Sequence, residues 1–513
     1  MLKLKRRDFI HTLSAGTAGL LLPLYTFGQS QQLLNELKIP ALLDGELRAG
    51  ARHFHLTAQT GTSSFLRGLS TPTLGFNGDF HGPTMRFRNG NDVSISVDNQ
   101  LGEPTTVHWH GLHVPANVDG GPAQVIATGD TWNVQFQIMQ KAGTFWYHSH
   151  LMAKTGEQVY RGLSGMIIID DDESAELDLP SDYGVDDIPL IVQDRRFNED
   201  GSFRYVGMRR DLMTGVFGDR ILVNGTTSPM FAPRTTKVRF RILNASNARS
   251  YNFAFDDGRE FETISSDGGF LRQAVKLTSL ELAPAERAEI VVDFSNGRPV
   301  NLVSLPIAAS SPYAPQGMMR NMHPMNVETL NILSLWPQSN LESSAVTPRD
   351  LTTIRPMNES EAVRTRRFTL AMPMGMGMMG RGRGGGGAGG AGGAGGAMRM
   401  GGEFLINGVS MDLGIINERV AVGDTEIWEI QNDSMMMHPF HVHHGQFQIL
   451  DRDGVAPPVT EAGFKDTLRI GPGQTARFIM KFENFPDPET AYMYHCHILE
   501  HEDNGMMGQF TVE

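Results

Sequence analysis

From Leu47 onward the chain is written in short alternations of apolar and polar residues, cut at close intervals by Gly, Pro, Asn and Asp. Val93-Ser-Ile-Ser-Val97 alternates at a period of two, at which the side chains of an extended strand change faces. Lys237-Val-Arg-Phe-Arg-Ile-Leu243 and Glu289-Ile-Val-Val-Asp-Phe294 do the same, and helical signals are few and short. Many short strands with turn residues between them predict an all-β chain of β-sandwiches. Three blocks share one layout. Residues 41–171 close with Gly165-Met-Ile-Ile-Ile-Asp170. Residues 187–339 contain Val223-Asn-Gly225, the strand Val238–Leu243 and Ala283-Pro-Ala-Glu-Arg287. Residues 366–513 repeat the layout with Ile406-Asn-Gly408, Gly423-Asp-Thr-Glu-Ile-Trp428 and Ile470-Gly-Pro-Gly-Gln-Thr475. These read as three copies of one sandwich. A chain of 513 residues has room for them, at about 100–200 residues per domain.

The first 30 residues stand apart. Lys3, Lys5, Arg6 and Arg7 precede an uncharged stretch from Ile10 to Gly28, too polar and too short for a membrane span. Lys5-Arg6-Arg7-Asp8-Phe9-Ile10 resembles a twin-arginine export signal. The expectation is a periplasmic protein, free of the membrane once residues 1–30 are removed, although no clean Ala-x-Ala marks a cleavage site. The formal net charge of −13 repels nucleic acid and anionic lipid. The single Cys excludes a disulfide within the chain, so the thiol of Cys496 is reactive, buried or bound to a metal.

Four segments hold ten of the seventeen histidines: His108-Trp-His110, His148-Ser-His150, His438-Pro-Phe-His441-Val-His443 and His495-Cys-His497-Ile-Leu-Glu-His501. On a strand, residues i and i+2 face one side, so each His-x-His can aim two imidazoles at one metal cluster. Imidazole suits copper, zinc, iron or nickel. In the last segment His495 and His497 face one way and Cys496 the other. Cys496, His501, Met506 and His438 make a thiolate, two imidazoles and a thioether, the ligand set of blue copper. Met507 adjoins Met506, but the spacing favours Met506. Eight imidazoles remain: His108, His110, His148, His150, His441, His443, His495 and His497. They suit three metals, two with three imidazoles each and one with two. A lone His-x-His such as His53-Phe-His55 is an ordinary strand; four in this order, with the Cys and Met spacing, are not.

These segments resemble the copper motifs of the multicopper oxidases, whose patterns are His-x-His-Gly, His-x-His, His-Pro-x-His-x-His and His-Cys-His-x₃-His-x₄-Met. The resemblance covers the chain after residue 30, including Glu103-Pro-Thr before the first motif. It implies three cupredoxin-like Greek-key β-sandwich domains, with a copper cluster between the first and third. It implies four copper ions. The type 1 copper takes His438, Cys496, His501 and Met506, and the type 2 copper takes His108 and His441. The type 3 pair takes His110, His148, His150, His443, His495 and His497. It also implies proton-handling acids at Asp119 and Glu502, dioxygen as oxidant, and a monomer.

The electron donor is the open point. Thioethers are soft ligands that select Cu(I), and Met318–Met325, Met372–Met379, Met398–Met400 and Met435–Met437 are all Met-rich. Single methionines such as Met480 fill core gaps, but a Met-Gly repeat has no core to fill. The Gly/Ala tract from Gly384 to Ala397 is expected to be a flexible loop. The Met-rich loop over 372–402 is similar to that of the bacterial cuprous oxidases of copper tolerance, and implies substrate Cu(I) at Met372 and Met436. Ser434 stands where that subgroup has an Asp, with Asp433 beside it, and 372–379 carries no acid. The alternatives are a laccase-like oxidase of small aromatic reductants and a non-enzymatic copper-binding or cell-division partner. The latter kind loses copper ligands, and none is missing here.

Overall fold

The alternation in the sequence closes into six β-sheets, paired as three sandwiches, in a computed structural model that describes residues 34–322, 328–372 and 404–513. The expected signal over 1–30, the tract 384–397 and the loop over 373–402 lie outside the described residues, as do Met325, Met398 and Met400. Among the described residues no helix is long and apolar enough to cross a membrane.

The three-fold repetition is visible in strand pairing. In the first sandwich Ala51–Ser63 runs parallel to Asp92–Asn99, which runs antiparallel to Thr131–Gln137. In the second, Asp187–Arg195, Lys237–Asn244 and Arg287–Asp293 repeat that arrangement. In the third, Arg364–Ala371, Thr425–Asn432 and Thr475–Lys481 repeat it again. Along Asp92–Asn99 alternate residues are buried, as the sequence period requires. The two Asn-Gly turns are also equivalent. Asn224 and Gly225 have φ of 51° and 69°, and Asn407 and Gly408 have 53° and 76°. Two successive positive φ values define the type I′ turn, which Asn-Gly tolerates best.

Each sandwich has its own apolar core, built on Val93, Ile95 and Phe145 in the first and on Ile188, Phe240 and Ile290 in the second. The third core, built on Trp428, Phe440 and Phe478, also takes in Ala116 from the first block and Phe217, Ala248 and Met319 from the second. The blocks are therefore joined by shared apolar packing. One departure from block order occurs at the start: Asn35–Glu36 adds to the second sandwich, parallel to Pro229–Phe231.

A buried ion cluster fastens the first sandwich to the second. Arg241 donates to both oxygens of Asp187 at 2.7 and 2.9 Å, to Glu289 at 2.9 Å and to Thr144 at 3.1 Å. Thr144 donates to Glu289 at 2.7 Å across the boundary. Removing the cation leaves the buried Asp187 carboxylate without its partner, while Glu289 keeps Arg239, and stripping a buried carboxylate costs far more than losing an exposed pair. Arg241→Met should lower stability by about 3–5 kcal/mol. Arg367→Ala, which removes an 80% exposed partner of Glu429, should cost less than about 1 kcal/mol. Midpoints of denaturant unfolding check both.

Candidate metal centre

Strand register brings the histidines together. His108–His110 is the edge strand of its sheet and pairs with Gly143–His148, placing His108 opposite His148. In the third sandwich His438–Val442 pairs with Asp487–Cys496, placing His441 opposite His495 and Phe440 opposite Cys496. The two arrays meet between the first and third sandwiches. His110 stacks on His441 at 3.7 Å between ring centroids, and His108 on His443 at 3.8 Å.

The donor atoms then fall into sets. His110, His148 and His497 form one, and His150, His443 and His495 form another. His108 and His441 remain, and they converge with His110 in a third. Within the second set His150 Nε2 and His443 Nε2 lie 3.2 and 3.3 Å from His495 Nε2. All eight imidazoles singled out in the sequence are buried and share overlapping donor groups, one of which, His108 with His443, also takes in Asp119.

Most of their outer nitrogens are held by the chain. His108 donates through Nδ1 to the Asp119 carbonyl at 2.9 Å, His441 to the Asp466 carbonyl at 2.8 Å, and His148 to the Ser149 carbonyl at 2.8 Å. The Asp119 carboxylate reaches His443 Nδ1 at 2.6 Å. Glu502 lies between two rings, 3.3 Å from His150 Nδ1 and 3.1 Å from His495 Nδ1. These partners fix ring orientation and leave the inner nitrogens free for a metal.

Several features fit a metal here. His108 Nε2, His441 Nε2 and both ring nitrogens of His497 have no hydrogen-bond partner among the described residues, although buried, and an orphaned buried nitrogen is costly. Burial and neighbouring imidazoles press His108, His110, His148, His150, His441, His443 and His497 toward the neutral form that ligates metals. His148 and His441 are pushed down to about 3 and His150 to about 4, with burial the largest cause. Burial alone would raise the Glu502 carboxyl, but His150 and His495 hold it down at about 2. Burial pushes Asp119 well above the ordinary carboxyl range.

The second donor set lies on the other face of the same strand. Cys496 Sγ is 3.2 Å from His438 Nδ1 and 3.6 Å from His501 Nδ1. Met506 is fully buried and tied to both Cys496 and His501. Its carbonyl accepts from Cys496 N at 3.0 Å, and its N–H donates to the His501 carbonyl at 2.9 Å. Met507 instead begins the strand Met507–Val512, opposite His495. Burial pushes the Cys496 thiol up, so a cation is needed to hold it as thiolate. Thiolate with two imidazoles suits copper, and with a weak axial thioether it is the ligand set of blue copper.

Four features here escaped the sequence. Ser434 Oγ accepts from His438 Nε2 at 2.7 Å, and the Met213 carbonyl accepts from His501 Nε2 at 3.1 Å. The Phe404 ring covers His501 at 4.7 Å. Asp466 accepts from His110 Nε2 at 3.1 Å and is gripped by Arg287. Burial would raise the Asp466 carboxyl, but the Arg287 charge holds it below its ordinary range. Local spacing does not mark Met213, Phe404 or Asp466, because their partners come from other blocks or from distant turns of the same one; Ser434 lies only four residues before His438, and the sequence named it without revealing this hydrogen bond. Of the expected substrate methionines, Met436 is buried in the third core and Met372 packs on its edge.

Multicopper oxidase sequence profiles match residues 57–174, 175–303 and 395–513. The chain is 36% identical over 490 residues to multicopper oxidase mco of Staphylococcus haemolyticus (strain JCSC1435), covering 94% of each. It is 32% identical over 513 residues to cell division protein FtsP of Dickeya dadantii (strain 3937), covering 100% of this chain and 99% of FtsP. Its fold superposes at a TM-score of 0.80 on CueO, a laccase-like multi-copper oxidase of a lignin-degrading Ochrobactrum sp.. That structure is 34% identical, covers 93% of this chain and 100% of its own, and has oxidase activity towards lignin model compounds and lignosulfonate.

The turn carrying Asp119 depends on its glycine. Gly120 has φ of 84°, and a Cβ there would lie 1.7 Å from the Val107 carbonyl oxygen, beside His108. At Gly121 the nearest atom would be 3.5 Å away. Gly120→Ala should cost about 2–5 kcal/mol from backbone strain and overpacking, and Gly121→Ala under about 1 kcal/mol. Thermal and denaturant midpoints of the two variants test this difference.

Proposed function

Since the chain belongs to the multicopper oxidase family, we propose that its electron donor is the cuprous ion and that it serves copper tolerance. The family makes it a copper-containing, oxygen-dependent oxidoreductase that takes dioxygen and a reductant. The overall reaction proposed is 4 Cu(I) + O₂ + 4 H⁺ → 4 Cu(II) + 2 H₂O.

The observation that carries the donor is the number of methionines in, or packed against, the apolar core that holds Cys496 and Met506. Met319 and Met436 belong to the apolar cluster that contains Cys496 and Met506, and Met322, Met372 and Met435 pack against it. They come from a helix of the second block, Met319–Met322, from the end of the strand Arg364–Ala371, and from the residues before His438. Their thioethers prefer Cu(I) and release harder Cu(II). Meanwhile the outer nitrogens of His438 and His501 are taken by Ser434 and Met213, so neither imidazole edge is left to grip an organic reductant.

We assign His438, Cys496, His501 and Met506 to the type 1 copper and His108 and His441 to the type 2 copper. The two sets of three, His110, His148, His497 and His150, His443, His495, take the type 3 pair. When bound, the coppers supply one-electron uptake at the cysteine set and four-electron reduction of dioxygen at the histidine set. Cys496 is joined to His495 and to His497 by one peptide bond each, a covalent path for electrons between the sets. Glu502 and Asp119 reach the outer nitrogens and handle the protons that water formation consumes. Export by the twin-arginine route to the periplasm completes the reading, supported by Lys5-Arg6-Arg7-Asp8-Phe9-Ile10.

A second reading has its own observation. Phe217, Ala248, Ile307, Tyr313, Met437 and Ile498 line a pocket beside the cysteine set. Met437 adjoins His438, and the Ile498 N–H donates to Cys496 Sγ at 3.4 Å. Those largely apolar walls suit the chemistry of a small aromatic reductant, and the similarity to a laccase-like enzyme agrees with it. A cell-division role without oxidase activity, suggested by the likeness to FtsP, has no use for a complete donor set.

Copper-loaded protein should be blue, and Cys496→Ser should bleach it; a colourless wild type with full copper occupancy would sink the assignment. Steady-state kinetics separate the donors. Replacing Met322, Met372 and Met435 together by Leu should lower kcat/KM for Cu(I) by about 10–100-fold and leave phenol oxidation unchanged. The reverse pattern would make the aromatic pocket the true entry.

A further inference from the structure

The second sandwich supplies no imidazole to the histidine cluster, yet one of its side chains ends there. Arg287 is fully buried and uses all five N–H groups. Nε donates to the Thr144 carbonyl of the first sandwich at 3.0 Å, and two more bonds go to the Ala285 and Asp267 carbonyls of its own at 3.1 and 2.8 Å. The remaining two form a fork on Asp466 of the third, at 2.8 and 2.6 Å. Asp466 thus sits where all three sandwiches meet. Its carboxylate also accepts from Thr467 at 3.0 Å and from His110 Nε2 at 3.1 Å, while its carbonyl accepts from His441 Nδ1 at 2.8 Å.

This contact makes His110 different from its neighbours. His150, His443 and His495 turn Nε2 inward, toward one another. His110 has Nε2 turned outward to Asp466, and its Nδ1 faces His148 Nε2 at 3.4 Å. A carboxylate only accepts, so the His110 proton is fixed on Nε2 and Nδ1 keeps its lone pair for a metal. The sequence has made room for this approach. Gly111 follows His110 with φ of 85°, and a Cβ there would lie 2.4 Å from Asp466 Oδ2 and 3.1 Å from Arg287 Nη2.

We propose that Asp466, clamped by Arg287, is the positioning residue that sets the tautomer and orientation of His110 and anchors His441, so that the second sandwich controls copper binding in a cluster to which it gives no ligand. The proposal rests on reading the eight imidazoles as a copper site.

The test uses apo protein reloaded with copper. Copper per chain is followed during dialysis against a chelator, with the blue absorption reporting the cysteine set and electron paramagnetic resonance counting uncoupled copper. Asp466→Asn should retain copper in the histidine cluster about 10–100-fold less well, with more paramagnetically visible copper and an unchanged blue absorption. Arg287→Lys keeps the charge but loses the fork, and should show a smaller loss of the same kind; it serves if Asp466→Asn does not accumulate folded. Arg469→Gln is the control. It breaks a contact between the same two sandwiches, Arg469 to Glu286 at 2.9 Å, without touching an imidazole, and should keep the cluster intact. Wild-type retention in both cluster variants would overturn the proposal, as would equal loss in the Arg469 control. Failure of the wild type itself to load the cluster would instead overturn the copper assignment beneath it.

Discussion

Eight buried imidazoles share one interface, and a proton on any inner nitrogen would meet both a dry environment and a neighbouring ring. Much else in the molecule follows from keeping these rings neutral and aimed. Each outer nitrogen needs an acceptor, and backbone carbonyls of Ser149, Asp119 and Asp466 provide several. Where carboxylates serve, they too are buried and need support of their own, and the Arg287 fork on Asp466 is the clearest instance. The chain of dependence thus runs from rings to acids to a cation, and from two sandwiches to the third.

The strand Asp487–Cys496 couples this cluster to a second donor set. Because side chains alternate, Cys496 faces the core of the third sandwich while His495 faces the interface with the first. The surroundings of the two sets differ. The histidine cluster is ringed by carboxylates, which suits proton-coupled chemistry. The cysteine set belongs to the apolar core of the third sandwich, which also contains Met319, Met436, Phe404 and Phe440, with Met322, Met372 and Met435 packed against that core. Thioethers there suit a soft donor better than a hard, strongly hydrated one.

The sandwiches were legible in the sequence because a half-buried strand must alternate. Val93–Val97 and Lys237–Leu243 each fall within a strand, and Glu289–Phe294 overruns the end of its strand, Arg287–Asp293, by a single residue. The histidine pairs were legible for a related reason: His108 and His110 share one strand face, and His150, His443 and His497 stand just past the ends of the strands Gly143–His148, His438–Val442 and Asp487–Cys496. The contribution of Asn35–Glu36 to the second sandwich was not legible, since two residues carry no period. Nor were Met213 and Phe404, whose roles consist entirely of what they touch.

By itself the sequence determined which atoms are available: ten histidines in four segments, one cysteine, and methionines in clusters. Local backbone geometry turns that spacing into direction, so the two donor sets could be read without a structure. Only the tertiary structure decided which nitrogen of each ring faces inward. For His110 the answer comes from a carboxylate 356 residues away, held by an arginine 179 residues before it. Tautomer and aim are properties of hydrogen-bond partners, and partners that distant are chosen by domain packing.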